Sequence, residues 1–262
     1  MFSLYLECRQ EEKDILVAEL WERGSAGITE SELAGSRTGL RAFFAADSQA
    51  RQLEQDFSGW SARCASEKSR DWVAVARSLL EPQCVGSRFF LVPEWRDDPT
   101  PPGRFRIVVN PGMAFGTGAH ESTQLCLEAL ENELRPSVVV VDVGTGSGIL
   151  AEAAGLLGAK RVIACDIDPI AVQLARQRLS FIGTADAIRA ASAGLLVANI
   201  SPETIITLAP EVVRVLQKGG RAILSGFEVA DVPAVEMALR AEGAMVVESH
   251  AKGTWAAMTI LV

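Results

Sequence analysis

The chain opens on short apolar runs whose periodicity changes from segment to segment. FSLYLEC predicts a strand, EEKDILVAELWERG a helix, and SAGITESEL and LRAFFAA two further strands. DSQARQLEQDF has helical spacing behind a candidate N-cap at Asp47, and SARCASEKS supplies a last, weakly marked strand. The order strand, helix, strand, strand, helix, strand is that of a small ferredoxin-like α+β domain over residues 1–68. That arrangement hosts many functions and names none.

A connector is expected over residues 69–102. It begins with a helix, DWVAVARSLL, and an apolar strand, SRFFLVPEW, and then thins into RDDPTPPG, whose prolines and glycine exclude regular structure. From residue 103 to 262 the pattern changes. FRIVV, SVVVVD, RVIACD, LSFIG, GLLVANI and RAILSG are apolar runs bounded by Gly, Asp or Asn and separated by helical segments. Continuous β-branched runs predict strands covered on both faces, so the alternation implies a doubly wound, Rossmann-like α/β sheet with ligands beyond its carboxyl edge. AMVVESHAKGTWAAMTILV reads as two strands turning at Lys252-Gly253, a terminal antiparallel hairpin.

Composition narrows the partners. A formal charge of -8 on 262 residues, with pI near 5.0, argues against a surface built for nucleic-acid phosphates. The five cysteines (Cys8, Cys64, Cys84, Cys126, Cys165) form no C-x-x-C pair and read as reduced structural thiols. With no apolar run of membrane length, and an opening MFSLYLECRQEEKD that turns polar too early for a signal peptide, a soluble cytoplasmic chain is expected.

The chemistry concentrates in SVVVVDVGTGSGILAEAAGLLGAKRVIACDIDP. A glycine-rich turn joins a strand to a helix starting near Gly148, so helix-start amides are expected to face a ligand above the strand. Asp166 ends the next strand, where a carboxylate can accept from ribose hydroxyls. Gly144, Gly146 and Gly148 follow G-x-G-x-G, not the G-x-G-x-x-G of dinucleotide enzymes. Asp142 would repel a diphosphate, yet can stabilise the turn and face a cationic or amino-acid-bearing cofactor. Together with the hairpin these details favour S-adenosyl-L-methionine over NAD. Tight packing is the alternative use of each glycine, and Asp168-Pro169 reads as an N-cap followed by a first helical proline.

NPGMAFGTGAHESTQLCLEAL, DVGTGSGILA, CDIDPIAV and VANI together resemble the PrmA family of ribosomal-protein methyltransferases. The F-G-T-G-x-H block is the most specific of them, and the resemblance extends weakly toward the N-terminus. It implies S-adenosyl-L-methionine-dependent methylation of lysine side chains, and of N-terminal amines, on large-subunit ribosomal protein eleven. It also implies cofactor contacts at Thr123, Gly144, Gly146, Asp166 and Asn199, with Asn199 catalytic, and an N-terminal domain that grips the substrate. A monomer taking the free basic protein, with no nucleic acid or membrane partner, is expected.

The residues are compatible with each assignment. Thr123 opens a helix near the methionine end of the cofactor or serves as a cap hydroxyl. Asn199 closes a strand at the sheet edge and can accept from an amine, or is a turn asparagine. Methyl transfer from a sulfonium needs positioning and a neutral amine more than a strong base. Phe115 and Thr117 are candidate channel walls; His120 reads as structural and His250 as uninvolved. Ala119 and SPETI depart from the family pattern, and the span from Asp166 to Gly183 is shorter than that pattern, which leaves TADAI as a candidate adenine wall, with Asp186 either a partner of the adenine amino group or, the favoured reading, a solvated helix-start aspartate. The rivals are methylation of another protein lysine, an NAD-dependent oxidoreductase, and cofactor binding without turnover.

Overall fold

The computed structural model describes residues 2–9, 12–25, 27–33, 37–44, 50–66, 81–110, 120–175 and 179–262. DWVAVARSLL, Asp47, Phe115, Thr117 and Ala119 fall outside them. The chain divides into two units, Met1–Leu79 and Leu80–Val262.

In the first unit, β1 (Phe2–Arg9), α1 (Lys13–Glu22), β2 (Gly27–Leu33), β3 (Arg37–Phe44), α2 (Ala50–Asp56) and β4 (Arg63–Ser66) follow in that order. The strands form an antiparallel sheet ordered β2-β3-β1-β4. Alternate positions of β1 (Phe2, Leu4, Leu6, Cys8) and β3 (Leu40, Ala42, Phe44) share one core with Leu16, Leu20, Leu53 and Phe57. Both helices therefore cover the same sheet face, as the period-two pattern requires.

The second unit begins with β5 (Gln83–Val85), β6 (Phe89–Pro93) and β7 (Phe105–Val109), a small sheet of its own in which β6 and β7 run parallel. The FRIVV run is therefore not a strand of the main sheet. Its Ile107 and Val109 are buried while Val108 is exposed, the alternation of a one-sided strand. The β5–β6 turn is held from outside: Ser87 N, Ser87 Oγ and Arg88 N each donate to the Glu131 carboxylate at 2.8 Å. Arg104 donates to the carbonyls of Val85, Gly86 and Phe89.

The main sheet contains β8 (Val139–Val143), β9 (Arg161–Asp166), β10 (Leu179–Ile182), β11 (Ala193–Asn199), β12 (Leu216–Glu228), β13 (Met245–Lys252) and β14 (Trp255–Leu261). Its order is β10-β9-β8-β11-β12-β14-β13, parallel except for β14, which runs antiparallel between β12 and β13. Helices α3 (Glu121–Glu133) and α4 (Ile149–Leu156) cover one face, and α6 (Pro202–Val215) and α7 (Val232–Ala241) the other. The short α5 (Pro169–Leu174) links β9 toward β10. Val141, Val143, Leu196 and Ala198 point to the α6–α7 side, and Val140, Leu195 and Val197 to the α3–α4 side. Truncating a fully buried leucine such as Leu196 to alanine costs about 2–5 kcal/mol. The strand order reverses between β8 and β11, so the crevice of such a sheet lies beyond the carboxyl ends of these two strands.

Candidate functional site

A cavity of about 940 Å³ opens at that place. Sheet order arranges its lining: Gly183 and Thr184 after β10, Asp166 and Ile167 at β9, Gly144 to Gly146 at β8, Asn199 to Ser201 at β11, Gly226 on β12, and Trp255 on β14. His120, Ser122 and Thr123 reach it from the start of α3, and Thr204 and Leu208 from α6.

The glycine turn is fastened through its own amides. Gly144 N and Thr145 N donate to the Cys165 carbonyl at 2.8 and 3.1 Å, and Gly148 N to the Thr145 carbonyl at 2.8 Å. Gly146 N donates to Asp166 Oδ2 at 2.9 Å. These four amides are thus bonded within the protein. The glycines are needed as well: Gly144, Gly146 and Gly148 all have positive φ. A Cβ on Gly144 would lie 2.3 Å from Ile200 Cγ2, so its absence makes room for Ile200.

Asp142 does not face the cavity. It is fully buried, and its Oδ2 accepts from Thr145 Oγ1 at 2.7 Å and Ala151 N at 3.1 Å, fastening the turn to α4. This is the turn-stabilising part of the expectation, without the ligand contact.

Asp166 keeps its expected place. Its two oxygens accept from Gly146 N at 2.9 Å and Asp168 N at 3.0 Å, which fixes the carboxylate while leaving each oxygen further acceptor capacity for a diol. Asp168 is an N-cap, accepting from Ile170 N at 2.8 Å ahead of Pro169. Asp186 does not line the cavity. Its carboxylate accepts from the Thr184 hydroxyl within the turn Ala185–Ala187, and that bond holds its pKa below the usual aspartate value. The cavity wall on this side is made by Ile167, Gly183 and Thr184, the last being the first residue of TADAI.

At the opposite end, two residues 76 positions apart meet. Asn199 Nδ2 donates to Thr123 Oγ1 at 3.1 Å, and Thr123 is almost fully buried. Thr123 is not the helix cap; His120 is, its Nδ1 accepting from Ser122 N and lying 2.8 Å from Ser122 Oγ. The imidazole packs edge-on against Trp255, with ring centroids 4.4 Å apart. This agrees with a structural His120. The amide orientation leaves the Asn199 carbonyl oxygen as an acceptor toward the cavity it lines.

Sequence reasoning missed Ile167, Ile200, Gly226 and Trp255. Gly226 ends the RAILSG run with φ +94, and a Cβ there would lie 2.4 Å from the Ile200 carbonyl oxygen. Its position at a strand end was the available signal. Burial, followed by the nearby Asp142 charge, pushes the Cys165 thiol up to about 12, and burial raises Cys126 as well, so neither of these buried thiols is a ready nucleophile. Among the described residues no cluster of His, Cys, Asp or Glu is arranged to hold a metal ion.

The site thus offers a fixed carboxylate, apolar walls and an oriented amide, with the amides of Gly144, Thr145, Gly146 and Gly148 already bonded within the protein. These features fit a nucleoside-bearing cofactor without phosphates.

The family model described as ribosomal protein L11 methyltransferase (PrmA) matches residues 3–261. A ribosomal protein L11 methyltransferase of Symbiobacterium thermophilum is 38% identical over 199 residues, covering 73% of this chain and 66% of that protein. One from Pelotomaculum thermopropionicum is 39% identical over 219 residues, covering 80% and 70%. The chain spans about two thirds of the length of these curated relatives. The crystal structure of ribosomal protein L11 methylase from Lactobacillus delbrueckii subsp. bulgaricus has 32% identity and a TM-score of 0.63, covering 69% of this chain and 98% of that one.

Proposed function

The chain belongs to the PrmA family of ribosomal protein L11 methyltransferases, and from that membership we propose that it uses S-adenosyl-L-methionine to methylate ribosomal protein L11 on lysine side chains and the N-terminal amine. The observation that carries this is the state of the glycine turn: the amides of Gly144, Thr145 and Gly146 are bonded to Cys165 and Asp166, which withholds these three from a phosphate and fixes a diol-binding carboxylate at the cavity. The same observation counts against NAD.

In this reading Asp166 takes the ribose hydroxyls, Gly144 and Gly146 shape the wall beside it, and Thr123 and Asn199 border the methionine end. Bound S-adenosyl-L-methionine supplies a methyl group on a sulfonium, an electrophile with a good leaving group. The chain's part is positional. Asn199 accepts from the incoming amine through its carbonyl oxygen and holds the nitrogen lone pair in line, while Thr123 keeps that amide from rotating. Trp255 and the His120 ring against it keep water from this end, and a partly desolvated approach favours the neutral amine. No general base is assigned.

The second unit is a class I methyltransferase domain with a mostly parallel sheet; the β13–β14 pair is its terminal hairpin. The first unit is a ferredoxin-like domain that grips the protein substrate; of the expected connector 69–102, residues 83–93 are instead strands β5 and β6, packed into the second unit. We further read the protein as a cytoplasmic monomer taking free L11, apart from nucleic acid. No helix among the described residues is long and apolar enough to cross a membrane.

The test is incubation with labelled S-adenosyl-L-methionine and purified L11, followed by mapping of methyl groups by mass spectrometry. Label on lysine and N-terminal amines is expected. Tight S-adenosylhomocysteine binding with no label on L11 overturns the substrate, and tighter binding of NAD overturns the cofactor.

A further inference from the structure

The cavity wall after β10 is seated in the core through Ala185 and Ile188, and the rest of its anchoring is made by its backbone. It comes from a short segment, Gly183 to Ser192, containing only the three-residue turn Ala185–Ala187 and Ala191 in the left-handed region at φ +50. What holds it lies outside the cavity. Arg214, in the last turn of α6, donates from Nη1 to the Ile188 carbonyl at 2.8 Å and from Nη2 to the carbonyls of Ala185 and Asp186 at 3.0 and 3.2 Å. Its Nε donates to Glu211, one turn back on the same helix, which orients the guanidinium. The backbone of that helix end takes part as well: Ala191 N donates to the Arg214 carbonyl and Ser192 N to the Val215 carbonyl, both at 2.9 Å. At its start the segment is tied by Gly183 N to the Asp166 carbonyl, also at 2.9 Å.

We propose that Arg214 is a positioning residue for nucleoside recognition: by collecting three carbonyls of the 185–188 turn it sets Gly183 and Thr184 against the base end of the cofactor cavity. Each link has a physical reason. Inside the turn only the Ala185 carbonyl takes a backbone bond, from Ile188 N at 3.1 Å, so the Asp186 and Ile188 carbonyls depend on the guanidinium as a donor. A planar guanidinium can serve three acceptors in a fixed fork, which a single ammonium on a flexible stem cannot reproduce. Asp186 and Thr184 bond to each other, so neither side chain anchors the turn to the rest of the unit.

This inference rests on the methyltransferase reading. The experiment is calorimetry on the full chain with two probes, S-adenosylhomocysteine and 5′-methylthioadenosine, for wild type, Arg214→Lys and Arg214→Met, with kcat measured at saturating cofactor. Both variants are expected to bind both probes about tenfold more weakly, as loss of charge-assisted hydrogen bonds implies. Saturated kcat should stay within about twofold, because the transfer end is untouched. Amide exchange should accelerate over residues 183–192 and not over 144–149. Unchanged affinity in Arg214→Lys and Arg214→Met, a kcat loss without a KM change, or exchange rising equally in both segments overturns the proposal. Failure of wild type to bind S-adenosylhomocysteine removes the methyltransferase reading itself, and this inference with it.

Discussion

The two ends of the cavity are built on different principles. Toward β9 and β10 the wall is mostly backbone: Gly146 and Asp168 amides set the Asp166 carboxylate, and Arg214 braces the 185–188 carbonyls from behind. Toward β11, β12 and β14 it is side chains from distant segments: Thr123 on Asn199, His120 on Trp255, Ile200 filling the space left by Gly144 and Gly226. A backbone-built wall recognises a part of the ligand that does not change during reaction, so damage to it should appear in affinity. A side-chain-built wall surrounds the atoms that react, so damage to it should appear in turnover. The proposed function makes this division quantitative.

The largest effect is expected at the transfer end. Asn199→Ala removes both the acceptor for the amine and the partner of Thr123, and single-turnover methylation should slow by about 100-fold or more. S-adenosylhomocysteine affinity should change much less. An Asn199→Ala enzyme with near-normal turnover and poor cofactor binding would dissolve the contrast between the two ends. The next effect belongs to the nucleoside end. Asp166→Ala deletes the diol acceptor and leaves the Gly146 amide without its carboxylate, so the cofactor Kd should rise about 30-fold by titration. Saturated kcat should hold, and a large kcat loss there would mean that the ends are not separable.

The same division explains what could be read in advance. The turn at Asp142 to Gly148 and the carboxylate at Asp166 are legible because strand, turn and helix are contiguous and their spacing is local. The Thr123–Asn199 pair spans 76 positions and was reachable only through resemblance, since periodicity does not report which strand end meets which helix start. Arg214 was invisible for a further reason. Its partners are main-chain carbonyls, which every residue carries, so no side-chain motif marks them. In the glycine turn, sequence shows where amides exist and not which acceptor takes them, and for Gly144, Thr145 and Gly146 the acceptors are Cys165 and Asp166. FRIVV was assigned to the wrong sheet because a five-residue apolar run looks alike whether one or both faces are covered; the exposed Val108 settles it.

The smallest expected effect probes the nucleoside end through pH. The Asp186 carboxyl lies below its ordinary pKa, chiefly because the Thr184 hydroxyl donates to it, with a backbone amide of Ala187 assisting and burial opposing. A carboxyl lowered by folding adds stability that is complete above its unfolded value, about 3.9, and is lost as pH falls through the lower folded value. Wild type should therefore melt slightly above Asp186→Asn at neutral pH, by an amount constant down to about pH 5. The gap should then close as the pH drops below about 4, where the wild-type carboxyl becomes as neutral as the amide. The exposed setting keeps the gap small, so the comparison needs paired scans at matched ionic strength. A gap that widens on acidification would show that the carboxylate strains the turn, and would leave Arg214 as the element that holds this wall against it.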